Sequence, residues 1–160
     1  MESLGVDLGM SAILIPPNGK PYYFNGGNYA NPVTNLIAAP ATIYSKRPDI
    51  GSELWIKSIG ILPTANMSQY GALNLNLSDQ VIASALPIPS ILSLEYDFAF
   101  VVSSDETLII QNYTSNDTQA VGCQIDVTGL IFPAGTYEKA YQAQVTGRAV
   151  APIRGVEVIP

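Results

Sequence analysis

Apolar and polar residues alternate along much of the chain after residue 50. The stretch GALNLNL, residues 71–77, carries leucine at every second position, with asparagine between the leucines. LSLEYDFAFVV, residues 92–102, places an apolar residue at each even position, opposed by Ser93, Glu95 and Asp97. Because successive side chains of a β-strand point to opposite faces of the sheet, both stretches predict strands with one buried face.

LWIKSIGI, residues 54–61, is apolar at most positions. Regular alternation would turn Leu54 and Ile56 to one face of a strand. It would turn Trp55 to the other face, together with Ile59 and Ile61. We therefore expect a strand that is apolar on both faces.

The strand pattern continues toward the C-terminus and then weakens. Residues 106–111 and 118–132 predict two more strands, and the second has a clear apolar face and a clear polar face. The apolar face carries Val121, Cys123, Ile125 and Val127, and the polar face carries Gln124, Asp126 and Thr128. Residues 136–145, TYEKAYQAQV, fit either a strand or a short helix. The tail GRAVAPIRGVEVIP is expected to supply one short closing strand.

The spacing of these elements predicts the fold class. No segment shows a 3.6-residue period with helix caps, whereas seven or eight short strands follow one another about every ten residues. Gly, Pro, Asn and Ser turns separate them. This arrangement indicates an all-β, antiparallel sandwich or barrel, which we assign to residues 50–160.

Residues 1–49 are interpreted as an extended N-terminal arm. From residue 11 the segment is rich in Pro, Gly and Asn, which excludes a long helix. It keeps apolar and aromatic residues that a free linker would not carry, and this favours an arm with two short strands packed on its own domain or on a neighbour. These residues are Tyr22, Tyr23, Phe24, Tyr29, Leu36 and Ile37. A flexible tail is the alternative.

Composition favours a component of an assembly. Charged residues make up 12% of the chain and hydrophobic residues 48%, whereas soluble domains average about 25% charged residues. A small monomer with so few charges would be poorly soluble, so part of the surface is expected to be covered by partners. The net charge of −6, with Lys46-Arg47 as the one basic pair, argues against direct nucleic-acid binding.

The chain shows no signal for secretion or membrane insertion. Met1-Glu2-Ser3 lacks a positively charged start, and no apolar run approaches the ~18 residues of a membrane span. Cys123 is the single cysteine and cannot form an internal disulfide. These features predict synthesis in a cytoplasm and no transmembrane segment.

Candidate catalytic and metal sites are few. With no histidine in the chain, Ser-His-Asp and Cys-His triads and His-ligated zinc sites are excluded. Cys123 is expected to be a core residue. Glu95 and Asp97, whose Cα atoms are expected to be about 7 Å apart on one strand face, fit a solvated surface better than a glycosidase pair. A calcium site from Asp105, Glu106 and Asp117 has no recognised ligand spacing. We predict no catalytic residue, no cofactor, no metal and no enzyme activity.

Four N-x-S/T triplets begin at Asn66, Asn76, Asn112 and Asn116. They could be glycosylation acceptors, but uncharged polar residues at turns and on the wet face explain them better. The aromatic residues are more informative, because tyrosine is enriched in protein interfaces and also lines sugar-binding platforms. The candidate contact residues are Tyr22, Tyr23, Phe24, Tyr29 and Trp55.

DETLIIQNYTSNDTQAVGCQIDVTGLIF, residues 105–132, resembles the last strands of small single jelly-roll virion proteins of bacterial and archaeal viruses. In both, an E-T-L strand start leads to an Asn, then through an Asn/Ser/Thr turn into a long alternating strand that ends in V-T-G. The matching residues here are Glu106, Thr107, Leu108, Asn112, Val127, Thr128 and Gly129. The similar layout of strands extends from Leu54 to Phe132, which is about half the chain.

The resemblance implies an eight-stranded antiparallel jelly roll in a virus particle, as a capsid, vertex or decoration protein. It also implies a homo-oligomer that contacts other capsid proteins through its flat sides and its N-terminal arm, and a location in the virion. A carbohydrate- or receptor-binding β-sandwich, carried on a virion surface or elsewhere, is the alternative function, with a glycan or a host receptor as its partner.

Overall fold

In a computed structural model of the chain, residues 15–78, 80–88 and 92–150 are described, without the side chains of residues 92–99 and 146–150. Eight strands and two helices lie in these residues. The strands are β1 (Lys20–Gly27), β2 (Ala41–Lys46), β3 (Ser52–Pro63), β4 (Gly71–Leu77), β5 (Gln80–Leu86), β6 (Leu92–Val102), β7 (Leu108–Thr114) and β8 (Cys123–Pro133). The helices are α1 (Ala65–Tyr70) and α2 (Thr136–Val150).

The strands form two four-stranded antiparallel sheets that pack as a sandwich. The first sheet has the order β1-β8-β3-β6, and the second has the order β2-β7-β4-β5. Every connection between consecutive strands crosses from one sheet to the other, except the β4–β5 hairpin. This is the strand order of a double-sheet jelly roll. The predicted all-β class is therefore confirmed.

One apolar cluster fills the space between the two sheets. β4 contributes Leu73 and Leu75, and β8 contributes Cys123, Ile125 and Val127, all of them buried. The polar residues between them, such as Asp126, are partly exposed. The alternation in these two strands therefore predicted the correct face of the sheet.

The strand predicted over residues 54–61 is present, but the face assigned to Ile59 and Ile61 is wrong, because β3 does not alternate regularly. Its register shifts between Ile56 and Ser58 against both neighbouring strands, and against β8 the exposed Lys57 is an extra residue. Such a β-bulge changes the phase of the strand. Ile59 and Ile61 therefore share the central cluster with Leu54 and Ile56.

The segment interpreted as an arm contains two strands of the sandwich. β1 pairs along its length with β8, and β2 pairs with β7, which places one strand in each sheet. Residue Val33, between them, forms an isolated bridge with Val121. Residues 1–14, the first part of the predicted arm, lie outside the described residues.

Both helices follow strands and add to what the sequence indicated. Residues 136–145, which fitted either a strand or a short helix, lie in α2, and this helix extends through residue 150. The short helix α1 was not predicted, although Thr64 caps it by accepting a hydrogen bond from the backbone N–H of Met67. The closing strand expected in the tail falls mainly on residues 151–160, outside the described part of the chain.

Gly129 belongs to the V-T-G sequence of β8 and is buried where β8 pairs with β3. A Cβ atom at this position would overlap the carbonyl oxygen of Trp55. The close approach of the two backbones therefore requires glycine here.

Candidate interaction surfaces

The five aromatic residues predicted as contact residues have different environments. Tyr23 is 64% exposed on β1, and Tyr29 is exposed in the loop that follows. Tyr22 and Phe24 pack against the central cluster instead. Trp55 is only 1% exposed, so its assignment as an interface residue is wrong for the folded chain.

The partly buried aromatic residues connect the edges of the two sheets. The hydroxyl oxygens of Tyr22 on β1 and Tyr44 on β2 lie 2.8 Å apart. Phe24 packs edge to face on Tyr44, with ring centroids 4.8 Å apart. Burial raises the pKa of Tyr44, and the hydrogen bond with Tyr22 acts in the same direction. The ammonium group of Lys46 lies 5.5 Å from the centre of the Tyr22 ring. These contacts define the β1–β2 side of the sandwich.

Tyr23 forms a small polar cluster on the outer face of the first sheet. Its hydroxyl donates a hydrogen bond of 2.9 Å to Oδ1 of Asp126, which also accepts one from the side-chain amide of Asn25. The hydrogen bond to Asp126 is the main reason that the pKa of Tyr23 is raised. Next to this cluster, the hydroxyls of Ser58 and Thr128 lie 2.6 Å apart. An exposed aromatic ring therefore stands beside a carboxylate and an amide.

Helix α2 covers another part of the same outer face through the buried carboxylate of Glu53. This carboxylate accepts hydrogen bonds from Trp55 Nε1 at 2.7 Å, Gly135 N at 2.9 Å and Tyr137 N at 2.8 Å. A carboxylate at the first turn of a helix satisfies backbone N–H groups that have no partner within the helix. Under the helix, the Trp55 ring contacts Phe132 in a tilted arrangement and Tyr137 edge to face, with ring centroids 4.7 and 5.8 Å away. Glu53 therefore attaches α2 to the sheet.

A pair of side-chain amides connects the two sheets in the core. Asn112 on β7 and Asn28, which follows β1, each donate a hydrogen bond to the other, at 2.9 and 3.1 Å. Asn28 Oδ1 also accepts a hydrogen bond of 3.0 Å from the backbone N–H of Cys123. Asn112 is fully buried, so the expectation that it lies at a turn or on the wet face is wrong. Its inward position follows the alternation of Leu108 and Ile110.

Cys123 is buried in the central cluster, as predicted. Burial raises the pKa of its thiol from 9.0 to about 12, although the nearby Asn112 amide lowers it slightly. The raised value leaves almost no thiolate at neutral pH, and the thiolate is the reactive form. We expect no reaction of the folded protein with a disulfide reagent at pH 8 and one thiol per chain after unfolding. Rapid labelling of the folded protein would contradict this.

The same thiol predicts a dependence of stability on pH. The unfolded chain loses this proton near pH 9 and the folded chain near pH 12, so the folded state holds more protons between these values. Stability therefore falls as pH rises above about 9, by at most about 1.4 kcal/mol per pH unit from this group. Tyr44 contributes in the same direction. In urea titrations from pH 8 to 11, Cys123→Ala should show a shallower decline than the unchanged protein, and an equal slope would contradict the prediction.

The proposed calcium ligands do not come together. Asp105 and Glu106 both accept hydrogen bonds from the Ser103 hydroxyl and stabilise the turn before β7. The Ser103 hydrogen bond lowers the pKa of Asp105. Asp117 follows β7, whose seven residues separate it from the others by about 20 Å. Within the described ranges, no group of three or more metal-binding side chains is present.

The other asparagines of the N-x-S/T triplets and the carboxylate pair lie at separate places in the fold. Asn116 accepts hydrogen bonds from the backbone N–H and the hydroxyl of Thr118, which makes an exposed turn. Asn66 and Asn76 are half-exposed on α1 and β4. Glu95 pairs in register with Ser58, but the carboxylates of Glu95 and Asp97 lie outside the described side chains.

Exposed apolar residues occur at both ends and at one side of the sandwich. Leu36 and Ile37 lie in the β1–β2 loop, and Ile50 lies in the β2–β3 loop at the opposite end. On β5, Val81 and Ile82 are exposed although they are neighbours on a strand. No helix in the described part of the chain has the length and apolar character to cross a membrane. The exterior is thus apolar at several separate places.

The strand order places the chain among antiparallel jelly-roll sandwiches. No protein-family model matches it, and no curated protein matches it. Among solved structures it is similar to a chain in the structure of infectious bursal disease virus Gx strain, at 14% sequence identity and a TM-score of 0.38. The match covers 86% of this chain and 39% of that chain, so this chain spans about two fifths of its length. A likeness of this size carries no argument about function.

Proposed function

We propose that this protein is a structural subunit of a virus particle, a single jelly-roll capsid, vertex or decoration protein that catalyses no reaction. It assembles with copies of itself and with other capsid proteins, through the flat sides of its sandwich and through the segment before β1. Its location is the virion. The observation that carries the proposal is a jelly roll whose exterior has few charges and several exposed apolar side chains.

The exposed apolar side chains and the low content of charged residues support assembly, because such a surface would make a free monomer poorly soluble. Ile37 is 65% exposed and lies beside the exposed Leu36, while Val81 and Ile82 are exposed together on an edge strand. Charged residues, which would keep such a surface soluble, make up only 12% of the chain. Contacts with neighbouring subunits would remove these apolar groups from water. The sequence resemblance of residues 105–132 to virion proteins adds to this support.

The proposal is tested by the mass of the native protein. We expect the full chain to run as an oligomer in size-exclusion chromatography with light scattering, and to form ordered particles or rings in negative-stain images. A strictly monomeric protein at high concentration and low salt would overturn the proposal.

The contribution of the N-terminal segment to assembly is tested with a deletion that is shorter than the whole predicted arm. Removing residues 1–49 would also remove β1 and β2 from the two sheets. Removing residues 1–14 leaves both strands in place. We expect this variant to fold normally and to form a smaller or less stable oligomer. Unchanged assembly would mean that this segment makes no necessary contact, and the flat sides would remain as the proposed interface.

A second candidate function is carbohydrate or receptor binding. The cluster of Tyr23, Asn25 and Asp126 favours it, because an aromatic face can stack on a sugar ring while the polar groups bind its hydroxyls. The ring of Tyr23 is exposed, and its hydroxyl is held by the carboxylate.

The second candidate predicts binding on a glycan array. A hit should weaken about tenfold in Tyr23→Ala, as expected for the loss of an aromatic contact of about 1.4 kcal/mol. Tyr29→Ala is the matched control, because Tyr29 is an exposed tyrosine in a loop outside this cluster. An array without any binding would remove this candidate.

A further inference from the structure

Two asparagine–glycine pairs lie at the start of the fold, Asn18-Gly19 before β1 and Asn25-Gly26 within it. An asparagine followed by glycine is chemically prone to lose its side-chain amide. The backbone nitrogen of the next residue can attack the side-chain carbonyl carbon, and glycine has no side chain that obstructs this attack. Both asparagines are exposed, so access to solvent alone does not distinguish them.

The sheet holds the reacting groups of the second pair apart. Asn25 and Gly26 are both paired with residues of β8. In an antiparallel ladder the N–H groups of alternate residues point to the partner strand. The backbone N–H of Asn28 donates to the carbonyl of Cys123 in this register, so the N–H of Gly26 also points to β8. The side-chain amide of Asn25 donates a hydrogen bond to Asp126. A reaction at Asn25 therefore requires β1 to open from β8.

The first pair lies outside the sheet. Asn18 belongs to the exposed turn that leads into β1, and the pairing of β1 with β8 begins at Lys20. Its φ of 72° is in the left-handed region, which asparagine tolerates in turns. Its side chain forms no hydrogen bond with the residues that the structure describes. Rotations within the turn can therefore bring its carbonyl carbon to the backbone nitrogen of Gly19 without opening the sheet.

Packing requires glycine at position 19. A Cβ atom on Gly19 would lie 2.6 Å from Cζ of Phe132, a buried ring that contacts Trp55 under α2. A larger residue would slow the attack on Asn18, but it does not fit here unless the Phe132 ring moves. The contact that holds the start of β1 against the first sheet thus keeps a reactive pair in the turn.

We propose that Asn18 is a site of spontaneous deamidation in the folded protein and that Asn25 is protected from it. A base in the solvent removes the proton of the Gly19 nitrogen, which then forms a bond to the side-chain carbonyl carbon of Asn18. The bond from this carbon to the amide nitrogen breaks, and ammonia leaves after taking up a proton from water. Water opens the resulting cyclic imide at either carbonyl and yields aspartate or isoaspartate. One water enters and one ammonia leaves, without an oxidant or a reductant.

The modification changes the connection between residues 1–14 and the sandwich. Both products add a negative charge in the turn before β1, and isoaspartate also lengthens the backbone by one carbon atom next to the contact of Gly19 with Phe132. The fraction of modified chains grows with time and with pH, because the reaction begins with loss of a proton. The inference does not depend on the proposed assembly or on sugar binding.

Incubation of the full chain at pH 9, followed by digestion and mass spectrometry, tests this inference. Chymotrypsin cleaves after Tyr22, Tyr23 and Phe24 and thus separates the two pairs, and fragment ions assign the modified residue. We expect a mass gain of about 1 Da at Asn18. The reaction at Asn25 should be at least about tenfold slower, because it requires local opening of β1. At pH 6 the reaction at Asn18 should slow down. A methyltransferase specific for isoaspartate detects that product.

Unfolding and one variant provide the controls. In urea both pairs belong to an unfolded chain, and their rates should become similar. Asn18→Gly tolerates the left-handed turn and should fold normally by circular dichroism, but its first peptide contains no other asparagine and should gain no mass. Equal rates at Asn18 and Asn25 in the folded protein, or a faster rate at Asn25, would overturn the inference. An Asn18 that reacts in urea but not in the folded protein would overturn it as well, because the turn would then be protective.

Discussion

Replacing Glu53 by alanine should release helix α2 from the first sheet and lower the free energy of unfolding by about 3 kcal/mol or more. The substitution removes the acceptor of three hydrogen bonds, from Trp55 Nε1 and from the backbone N–H groups of Gly135 and Tyr137. Each buried donor left without an acceptor costs about 1–3 kcal/mol. Glu53→Gln retains an acceptor oxygen and should have a smaller effect.

The single tryptophan makes this result directly measurable. Trp55 is buried beneath the helix, against Phe132 and Tyr137. In Glu53→Ala we expect its fluorescence in the native state to move to longer wavelength, together with a lower urea midpoint. Glu138→Ala is the control, because Glu138 is exposed on the same helix and its carboxylate accepts a hydrogen bond from the exposed Gln142. Native emission identical to that of the unchanged protein would show that Glu53 does not hold the helix.

Replacing Asn112 by aspartate should destabilise the protein by about 3 kcal/mol at pH 7. The introduced carboxylate would be a buried charge with no cationic partner in the described structure, and the hydrogen bond that Asn112 donates to Asn28 would be lost. Burial raises the pKa of such a group. The deficit should therefore shrink as pH falls and the group becomes protonated, and grow as pH rises through its folded-state pKa.

Urea unfolding between pH 4 and 8 measures this effect. Asn116→Asp is the matched control, since Asn116 is exposed in a turn where aspartate can accept the same hydrogen bonds from Thr118. It should change stability by no more than about 0.5 kcal/mol at any pH in this range. Equal stability of the two variants at pH 7 would mean that the amide pair contributes little to the connection between the sheets.

The alternation of residues predicted most of the fold because each sheet has one face in the core. In β4 and β8, leucine or branched apolar residues at every second position indicated the buried face correctly. The prediction failed where one extra residue changed the phase. Lys57 is polar, lies among apolar residues and gives no local sign that β3 bulges there, because the bulge depends on the register with β6 and β8.

The surfaces and the buried polar groups were harder to predict, since they depend on distant parts of the chain. From the sequence alone Trp55 resembled an exposed contact residue, because α2, the helix that covers it, begins more than 80 residues later. The alternation of β7 turns Asn112 inward, but its partner Asn28 is 84 residues away in the sequence. Tyr23 could be predicted as exposed from its position on β1, but its hydrogen bond to Asp126 required the pairing with β8.

The pairing of β1 with β8 also affects how the protein folds. Tyr23 and Thr128 are partners in register although more than 100 residues separate them, so the first sheet is incomplete until β8 has been synthesised. Topologies with such high contact order fold slowly, commonly in milliseconds to seconds. During that time the edge of β8 is unpaired, and an unpaired edge is prone to aggregation. Slow completion of this sheet would make the yield of correctly folded subunits sensitive to temperature and to chaperones during synthesis.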